Sequence, residues 1–328
     1  MSLNQAEKME VIKVVEESPL GAKRTLRELG ISRSTFYTWY RRYLDHGIDG
    51  LTSHKRVPKV IWNRIPEGER AKVIETALTY PEKSCREIAC LVTDKEGYYV
   101  SESSAYRILK EKGLVQSPVF AVISASDKWA QPTVRVNQLW QTDFTYFKVE
   151  IWGWYYLLTI MDDFSRYILS WKLCTTMETT EVKAVLDMAI EKTGMKDVPL
   201  IWRPGLLSDN GSAFVSASLK DYIEENEMWQ VHGRPYHPQT QGKIERYHRS
   251  MKNIILLDKY YQPGHLEYRI AEWVEYYNNE RYHEGIGNVT PADKYYGRSE
   301  EVIRTREKVK MATMRKRKKD YRKGLTCA

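Results

Sequence analysis

Three strand-forming runs joined by short turns, and then strands alternating with helices, leave this chain few ways to fold. Trp140 to Val149, Tyr155 to Met161 and Arg166 to Leu173 are rich in Thr, Tyr, Phe, Ile and Leu. Trp152-Gly153 separates the first two and Asp162-Asp163-Phe164-Ser165 the next. Such a set predicts an antiparallel meander. Glu178 to Thr193 then reads as a helix with Val182, Val185, Leu186 and Ala189 on its inner face. A strand near Leu206 to Ser208, a helix over Ala217 to Asn226 and a short strand over Trp229 to His232 follow. Two helical stretches close the region, Lys243 to about Tyr260 and His265 to about Tyr282. The order βββ-α-β-α-β-α places a mixed sheet between helices, an α/β layer architecture.

Everything before this region reads as helical. A first helix carries Met9, Ile12 and Val15 on one stripe, and Ser18-Pro19-Leu20-Gly21 breaks it. A second runs from Ala22 to Leu29 and ends at Gly30, and Ser32 caps a third over Arg33 to Tyr43. Phe36, Tyr40 and Tyr43 face inward there, leaving Arg33, Ser34, Tyr37, Thr38, Arg41 and Arg42 outward. This is the layout of a helix-turn-helix whose second helix enters a DNA major groove. A plain three-helix bundle with a solvated basic face is the alternative.

Glu67 to Tyr80, Ser84 to Lys95 and Ser101 to Lys112 repeat the scheme. Ser103, Arg107 and Lys110 are the polar residues offered to DNA. Either two helix-turn-helix units act in tandem, or the second serves packing or dimerisation. The expected domains are therefore a helix-turn-helix over 1–56, a linker over 57–66 and a second helical domain over 67–115. A linker over 116–135, an α/β domain over 136–297 and a basic tail over 298–328 complete the chain.

Lys and Arg number 51 against 43 Asp and Glu, a formal charge of +8, which suits a polyanionic partner without proving one. Four cysteines with no CxxC pair predict neither a disulfide framework nor a zinc site. No signal-peptide pattern opens the chain and no run reaches the ~20 apolar residues a bilayer requires. The expectation is a soluble protein of a reducing cytoplasm, without membrane or zinc. Arg304 to Lys323 holds eleven basic and two acidic residues, including Arg315-Lys316-Arg317-Lys318-Lys319. Such a block predicts a disordered tail that holds DNA nonspecifically.

Three carboxylates stand in suggestive places. Asp143 interrupts the run Gln141 to Tyr146, and an acid inside a sheet is costly unless a cation or water meets it. Asp209 lies where a strand gives way to Asn210-Gly211, and Glu245 sits in the first turn of a helix. Taken singly, Asp209 can serve an Asx turn and Glu245 a helix dipole. Together they suit divalent-metal chemistry on a phosphodiester, in which two Mg²⁺ ions activate an oxygen nucleophile and neutralise the leaving oxygen. Asp162 and Asp163 compete as ligands, but their turn location favours solvation or a structural ion pair.

Asp143-Phe144-Thr145-Tyr146, Asp162-Asp163-Phe164-Ser165-Arg166, Ser208-Asp209-Asn210-Gly211-Ser212 and His237 through Arg246 resemble the integrase core of the retroviral-integrase superfamily. The 35 residues between Asp209 and Glu245 match its Asp-Asp-Glu signature. Tyr277-Asn278-Asn279-Glu280-Arg281-Tyr282-His283 and Thr290-Pro291-Ala292-Asp293 are similar to the end of such cores. In overall layout the chain looks like bacterial insertion-sequence transposases, which join helix-turn-helix units to this core. The resemblance implies an RNase H-like fold, with Asp143, Asp209 and Glu245 holding two Mg²⁺ or Mn²⁺ ions. It further implies binding of double-stranded DNA at element ends and target, cleavage exposing a 3′-OH, and attack of that 3′-OH on target DNA. Lys252 occupies the basic position seven residues after the Glu. One departure is plain: the His-His-Cys-Cys zinc set of retroviral integrases has no counterpart here.

Around Glu245 stand Lys243, Arg246, His248, Arg249 and Lys252, with Arg249 and Lys252 placed to follow substrate phosphates. Tyr236, His237 and Gln239 in the preceding loop are candidates to stack on or bond to a distorted base. The sequence predicts a transposase acting as a homo-oligomer on paired ends, nucleoid-associated in a bacterium. A nonenzymatic regulator derived from a transposase and a nuclease of the same fold that cuts without joining are the rivals.

Overall fold

The computed structural model of this 328-residue chain describes residues 3–52, 62–115, 132–232 and 241–323. Residues 57–61 of the first expected linker and 116–131 of the second fall outside them. Two compact units emerge, Met1–Trp62 and Asn63–Ala328.

The first unit packs α1 (Gln5–Glu17), α2 (Ala22–Glu28) and α3 (Arg33–His46) around Ile12, Leu26, Phe36 and Leu51. Asn4 opens α1 through a capping box with Glu7, which satisfies two otherwise orphaned donors. Gly30 takes a left-handed φ of 66° after α2, and Ser32 accepts from the Thr35 amide to start α3. That short turn fixes the angle between the two helices.

The second unit begins with α4 (Glu67–Thr79), α5 (Cys85–Glu96) and α6 (Glu102–Glu111). Val73, Ile88, Val92, Val100, Ala105, Ile108 and Leu109 form their shared core. Ser84 and Ser101 are the N-caps, and Gly97 turns the chain at φ 60°.

Beyond it lies the five-stranded sheet, in the order β3-β2-β1-β4-β5. β1 (Leu139–Val149), β2 (Gly153–Asp162) and β3 (Ile168–Cys174) form the antiparallel meander. β4 (Gly205–Ser208) and β5 (Trp229–His232) add in parallel on the other side of β1. α7 (Thr179–Thr193) and α8 (Ala217–Glu225) cover one face, where Trp140, Leu158, Ile160 and Leu206 meet Val182, Val185, Leu186 and Leu219. α9 (Gly242–Ile255) and α10 (Pro263–Asn279) cover the other, where Phe147, Val149, Leu157 and Met161 meet Ile244, Tyr247, Met251 and Trp273. This is the expected mixed sheet between helices, behind all-α domains. Strand alternation therefore turns the odd residues of β1, Asp143 among them, toward α9.

α11 (Pro291–Tyr295) leads into α12 (Ser299–Arg322), which replaces the disordered tail read from the charge block. The run is sorted by helical phase. Val302, Arg306, Val309, Thr313 and Arg317 fall on one side, while Arg315, Lys316, Lys318 and Lys319 face solvent. Buried Arg317 donates to the Tyr98 hydroxyl (2.7 Å), the Asn63 amide oxygen (2.9 Å) and the Tyr99 carbonyl (2.9 Å). Thr313 Oγ1 accepts from the Tyr99 amide at 3.0 Å, and Arg306 pairs with Asp94. The helix thus docks on the α5–α6 turn, because its inward cations find partners there. No helix among the described residues is long and apolar enough to cross a membrane.

Replacing Arg317 by Met keeps the stem and removes three donors, leaving buried acceptors unpaired. Urea unfolding of the full chain should register a loss of about 2 kcal/mol. An unchanged midpoint would mean that the docked helix contributes nothing to stability.

Candidate active site

Asp143 lies in the middle of β1, opposite Thr159 of β2, with its side chain partly exposed toward α9. That helix packs through Ile244, Tyr247, Met251 and Ile255, so Glu245, His248 and Lys252 form the adjoining stripe one turn apart. Nδ1 of buried His248 stands 3.4 Å from Asp143 Oδ2. Burial raises the pKa of Glu245, and the Asp143 charge raises it further, while Arg249, Arg246 and His248 oppose. Burial lowers the pKa of Lys252, with Asp143 pulling it back up. One carboxylate of the sheet thus faces a carboxyl, an imidazole and an ammonium from a single helix stripe.

Asp209 is exposed, one residue past the end of β4. Its Oδ1 accepts from the Gly211 amide at 2.9 Å, the Asx turn that its sequence context allows. β1 and β4 pair with Gln141 beside Leu207. Asp143 and Asp209 each lie two residues past that last pair, beyond the stretch where the two strands are hydrogen-bonded. His232 of β5 braces this corner, its Nδ1 lying 3.3 Å from the Asp209 carbonyl and 3.4 Å from Ser208 Oγ. Asp143 and Glu245 therefore lie on facing elements within each other's electrostatic reach, while Asp209 lies past the β1–β4 pairing and is turned into its own loop. Among the described residues no group of three or more His, Cys, Asp or Glu is gathered tightly enough to hold a metal ion as it stands.

A second acidic cluster, which sequence reasoning left as solvated or ion-paired, holds α9 in place. Asp163 is buried, and Lys243 Nζ donates to its Oδ2 (2.6 Å) and its carbonyl (2.8 Å). Gln141 Nε2 donates to Asp163 Oδ1 at 2.6 Å, and Gln141 Oε1 accepts from the Ile244 amide at 3.1 Å. One side chain of β1 therefore satisfies a first-turn donor of α9 and a turn carboxylate at once. Lys243, grouped above with the cations around Glu245, is tied to Asp163 instead. Asp162 accepts from the Asn137 amide and from the Ser165 amide and hydroxyl at 2.6–2.9 Å. Burial nevertheless pushes its carboxyl up to about 6.

Of the residues assigned to DNA, Arg33, Ser34, Tyr37, Thr38, Arg41 and Arg42 are all exposed on α3. Ser103, Arg107 and Lys110 are exposed on α6, and Arg107 Nε folds back to the Ser103 carbonyl at 3.0 Å. Arg249 is exposed on α9, and Lys252 sits with its Nζ 4.1 Å from the centre of the Tyr146 ring. Tyr236, His237 and Gln239 lie outside the described residues.

Family models described as Integrase core domain match residues 133–238 and 226–291, and models described as Homeodomain-like domain match 2–52 and 35–109. A Pol polyprotein of Radiation murine leukemia virus (strain Kaplan) is 30% identical over 166 residues, covering 47% of this chain and 27% of that protein. The transposase for insertion sequence element IS629 of Shigella sonnei is 28% identical over 203 residues, covering 56% of this chain and 64% of its own length. The chain thus spans less than two thirds of either relative. Among solved structures, the HTLV-2 integrase catalytic core domain in complex with magnesium is 22% identical, with a TM-score of 0.39 over 49% of this chain and 98% of that one. The simian T-cell lymphotropic virus intasome in complex with PP2A regulatory subunit B56 gamma is 19% identical, with a TM-score of 0.45 over 67% and 74%.

Two stability measurements check the second acidic cluster. Lys243→Met leaves Asp163 buried without its cation and should cost about 3 kcal/mol, the low end for buried pairs, since the Lys243 side chain is one-third exposed. Adding Asp163→Asn should restore part of that loss in a double-mutant cycle, and strictly additive losses would show no coupling. Asp162 has a folded-state pKa above its unfolded one, so its contribution is full below about pH 4 and is lost as pH rises through about 6. Relative to Asp162→Asn, wild-type stability should decline across that window by no more than about 3 kcal/mol and stay level above it. A flat difference would place the carboxyl at its ordinary value.

Proposed function

We propose that this chain, which carries an integrase core domain behind homeodomain-like helices, is a DNA transposase. Its helical units bind the ends of a mobile element, and its core cleaves DNA and joins the freed 3′-OH to a target strand. The observation that carries this reading is that Asp143 of β1 feels the charge of Glu245 and stands 3.4 Å from His248 on the facing helix α9, with Asp209 at the nearby end of β4. The relative from Shigella sonnei is itself a transposase, that of insertion sequence element IS629.

The donor chemistry fits a hard divalent cation. Asp143, Asp209 and Glu245 supply oxygen only, and a cation would offset both the burial and the Asp143 charge that raise the pKa of Glu245. Two bound Mg²⁺ ions, or Mn²⁺ in their place, supply activation of an oxygen nucleophile and neutralisation of charge on the phosphate and leaving oxygen. Asp143 is held by the sheet and Glu245 by α9, on the two sides of one seam. Asp209 completes the set by turning from the Gly211 amide toward Asp143. Arg249 and Lys252 sit one and two turns beyond Glu245 and meet substrate phosphates.

Arg33, Ser34, Tyr37, Thr38, Arg41 and Arg42 present a basic, hydroxyl-rich helix face suited to a major groove, and Ser103, Arg107 and Lys110 present a second. Action on two ends requires two or more copies of the chain.

The test incubates the full chain with Mg²⁺ and the DNA flanking its reading frame, and resolves the products on a gel. Strand-transfer products are expected. Asp143→Asn, Asp209→Asn and Glu245→Gln should each lower their yield by about 10³-fold, as several kcal/mol of transition-state stabilisation are lost. A chelator should stop the chemistry while leaving end binding. Cleavage without joining would favour the nuclease, and binding without either would favour the regulator. Unchanged activity in any carboxylate variant would remove that residue from the site.

A further inference from the structure

Tyr146 and Trp154 are large aromatic side chains that the fold leaves 57% and 54% exposed, and their rings meet edge to face at 5.4 Å. Tyr146 lies three residues from Asp143 on β1 and points to the other face of the sheet. β4 pairs with β1 only over Leu139 to Gln141, so the remaining edge of β1 on that side has no strand partner among the described residues. Lys252 starts on α9, shares the Asp143 side of the sheet, and reaches the Tyr146 ring. The carboxylate pair and the ring pair therefore lie on two sides of one open strand edge, with a lysine between them.

Packing does not explain these rings. Phe147 and Val149, on the same strand, are buried under α9 and α10, whereas over half of Tyr146 and Trp154 remains in water. The hairpin tip continues the pattern. Ile151 is 94% exposed at a φ of 76°, a backbone region that strains a β-branched residue, and Trp152 beside it is 63% exposed.

We propose that Tyr146 and Trp154 form a stacking platform for an unpaired base of the DNA strand held at the carboxylates, with Lys252 meeting the intervening phosphate. The proposal rests on the reading of the acidic site as one that acts on DNA, and adds to it the place where an end is melted. Three strand residues span about 10 Å, or about three stacked-base steps from the reacting phosphate. Aromatic rings accept any base, so such a platform favours single strands over duplex without reading sequence. The cation between the rings and the carboxylates suits a phosphate backbone better than an apolar protein partner.

Fluorescence anisotropy of a labelled short oligothymidylate and a duplex of equal length, with the full chain in a chelating buffer, tests this without any reaction. Tyr146→Ala and Trp154→Ala should each weaken single-strand binding by about 5- to 100-fold and change duplex binding by less than about twofold. Tyr146→Trp should retain the affinity, and urea midpoints should stay put, since both rings are more than half exposed. Asp143→Asn should lose cleavage yet keep the single-strand affinity, which separates this platform from the catalytic reading. No binding of the oligothymidylate by the wild-type chain, or equal affinity in both alanine variants, overturns the proposal. A fall in sedimentation mass in Trp154→Ala with DNA affinity intact also overturns it, and assigns the surface to contacts between copies.

Discussion

The side-chain amide of Gln141 joins the two elements on which the acidic site depends. From the middle of the sheet it donates to buried Asp163 and accepts from the amide of Ile244, the residue before Glu245. Asp163 is in turn clamped by Lys243, the residue before Ile244. A helix lying on a sheet by apolar contacts alone can rotate or slide at modest cost, because dispersion is not directional. A rotation of one residue is about 100°, enough to carry Glu245 off the Asp143 side altogether. The polar bridge removes that freedom at the end of α9 where the carboxylate sits, while Ile244, Tyr247 and Met251 supply the burial. Position comes from hydrogen bonds and adhesion from area.

A comparable division of labour ties the second helical unit to the core. α12 places Arg306 on Asp94 and Arg317 among Tyr98, Tyr99 and Asn63, and Arg86 of α5 pairs with both Glu102 and Glu284. Lys83 stacks over Tyr276 of α10, its Nζ 4.5 Å from the ring centre. These contacts use charged groups whose geometry is specific, several of them shielded from solvent. They place the exposed face of α6 on the same compact unit as the carboxylates.

Local physics made much of the fold legible. Strand-forming runs with short turns announced the meander, and Ser32, Ser84 and Ser101 announced the helix starts, since caps and periodicity act over a few residues. What sequence reasoning missed was long-range or phase-dependent. Lys243 looked like one more cation around Glu245 because its partner, Asp163, lies 80 positions away. The basic C-terminal run looked disordered because a charge count ignores which residues share a helical face; sorted by phase, two of its arginines are inward and paired. The approach of Glu245 to Asp143 could not be read from periodicity or composition. Only the motif order and the 35-residue spacing pointed to it, through the family resemblance.

The short reach of β4 shapes both the acidic site and the surface next to it. β4 stops at Ser208, so Asp209 stands at a rim and can turn, whereas the same residue inside a longer strand would be locked in a ladder. The turn itself depends on Gly211, since a Cβ there would lie 3.0 Å from Asp209 Oδ1, tighter than such contacts normally run. Because β4 stops early, the edge of β1 beyond Gln141 is left open, which gives Asp143 access to solvent and lets Lys252 pass to Tyr146. An open edge invites pairing with another chain unless something blunts it. Here a lysine laid across an aromatic ring does so, using the kind of side chains that would also receive a polyanionic strand.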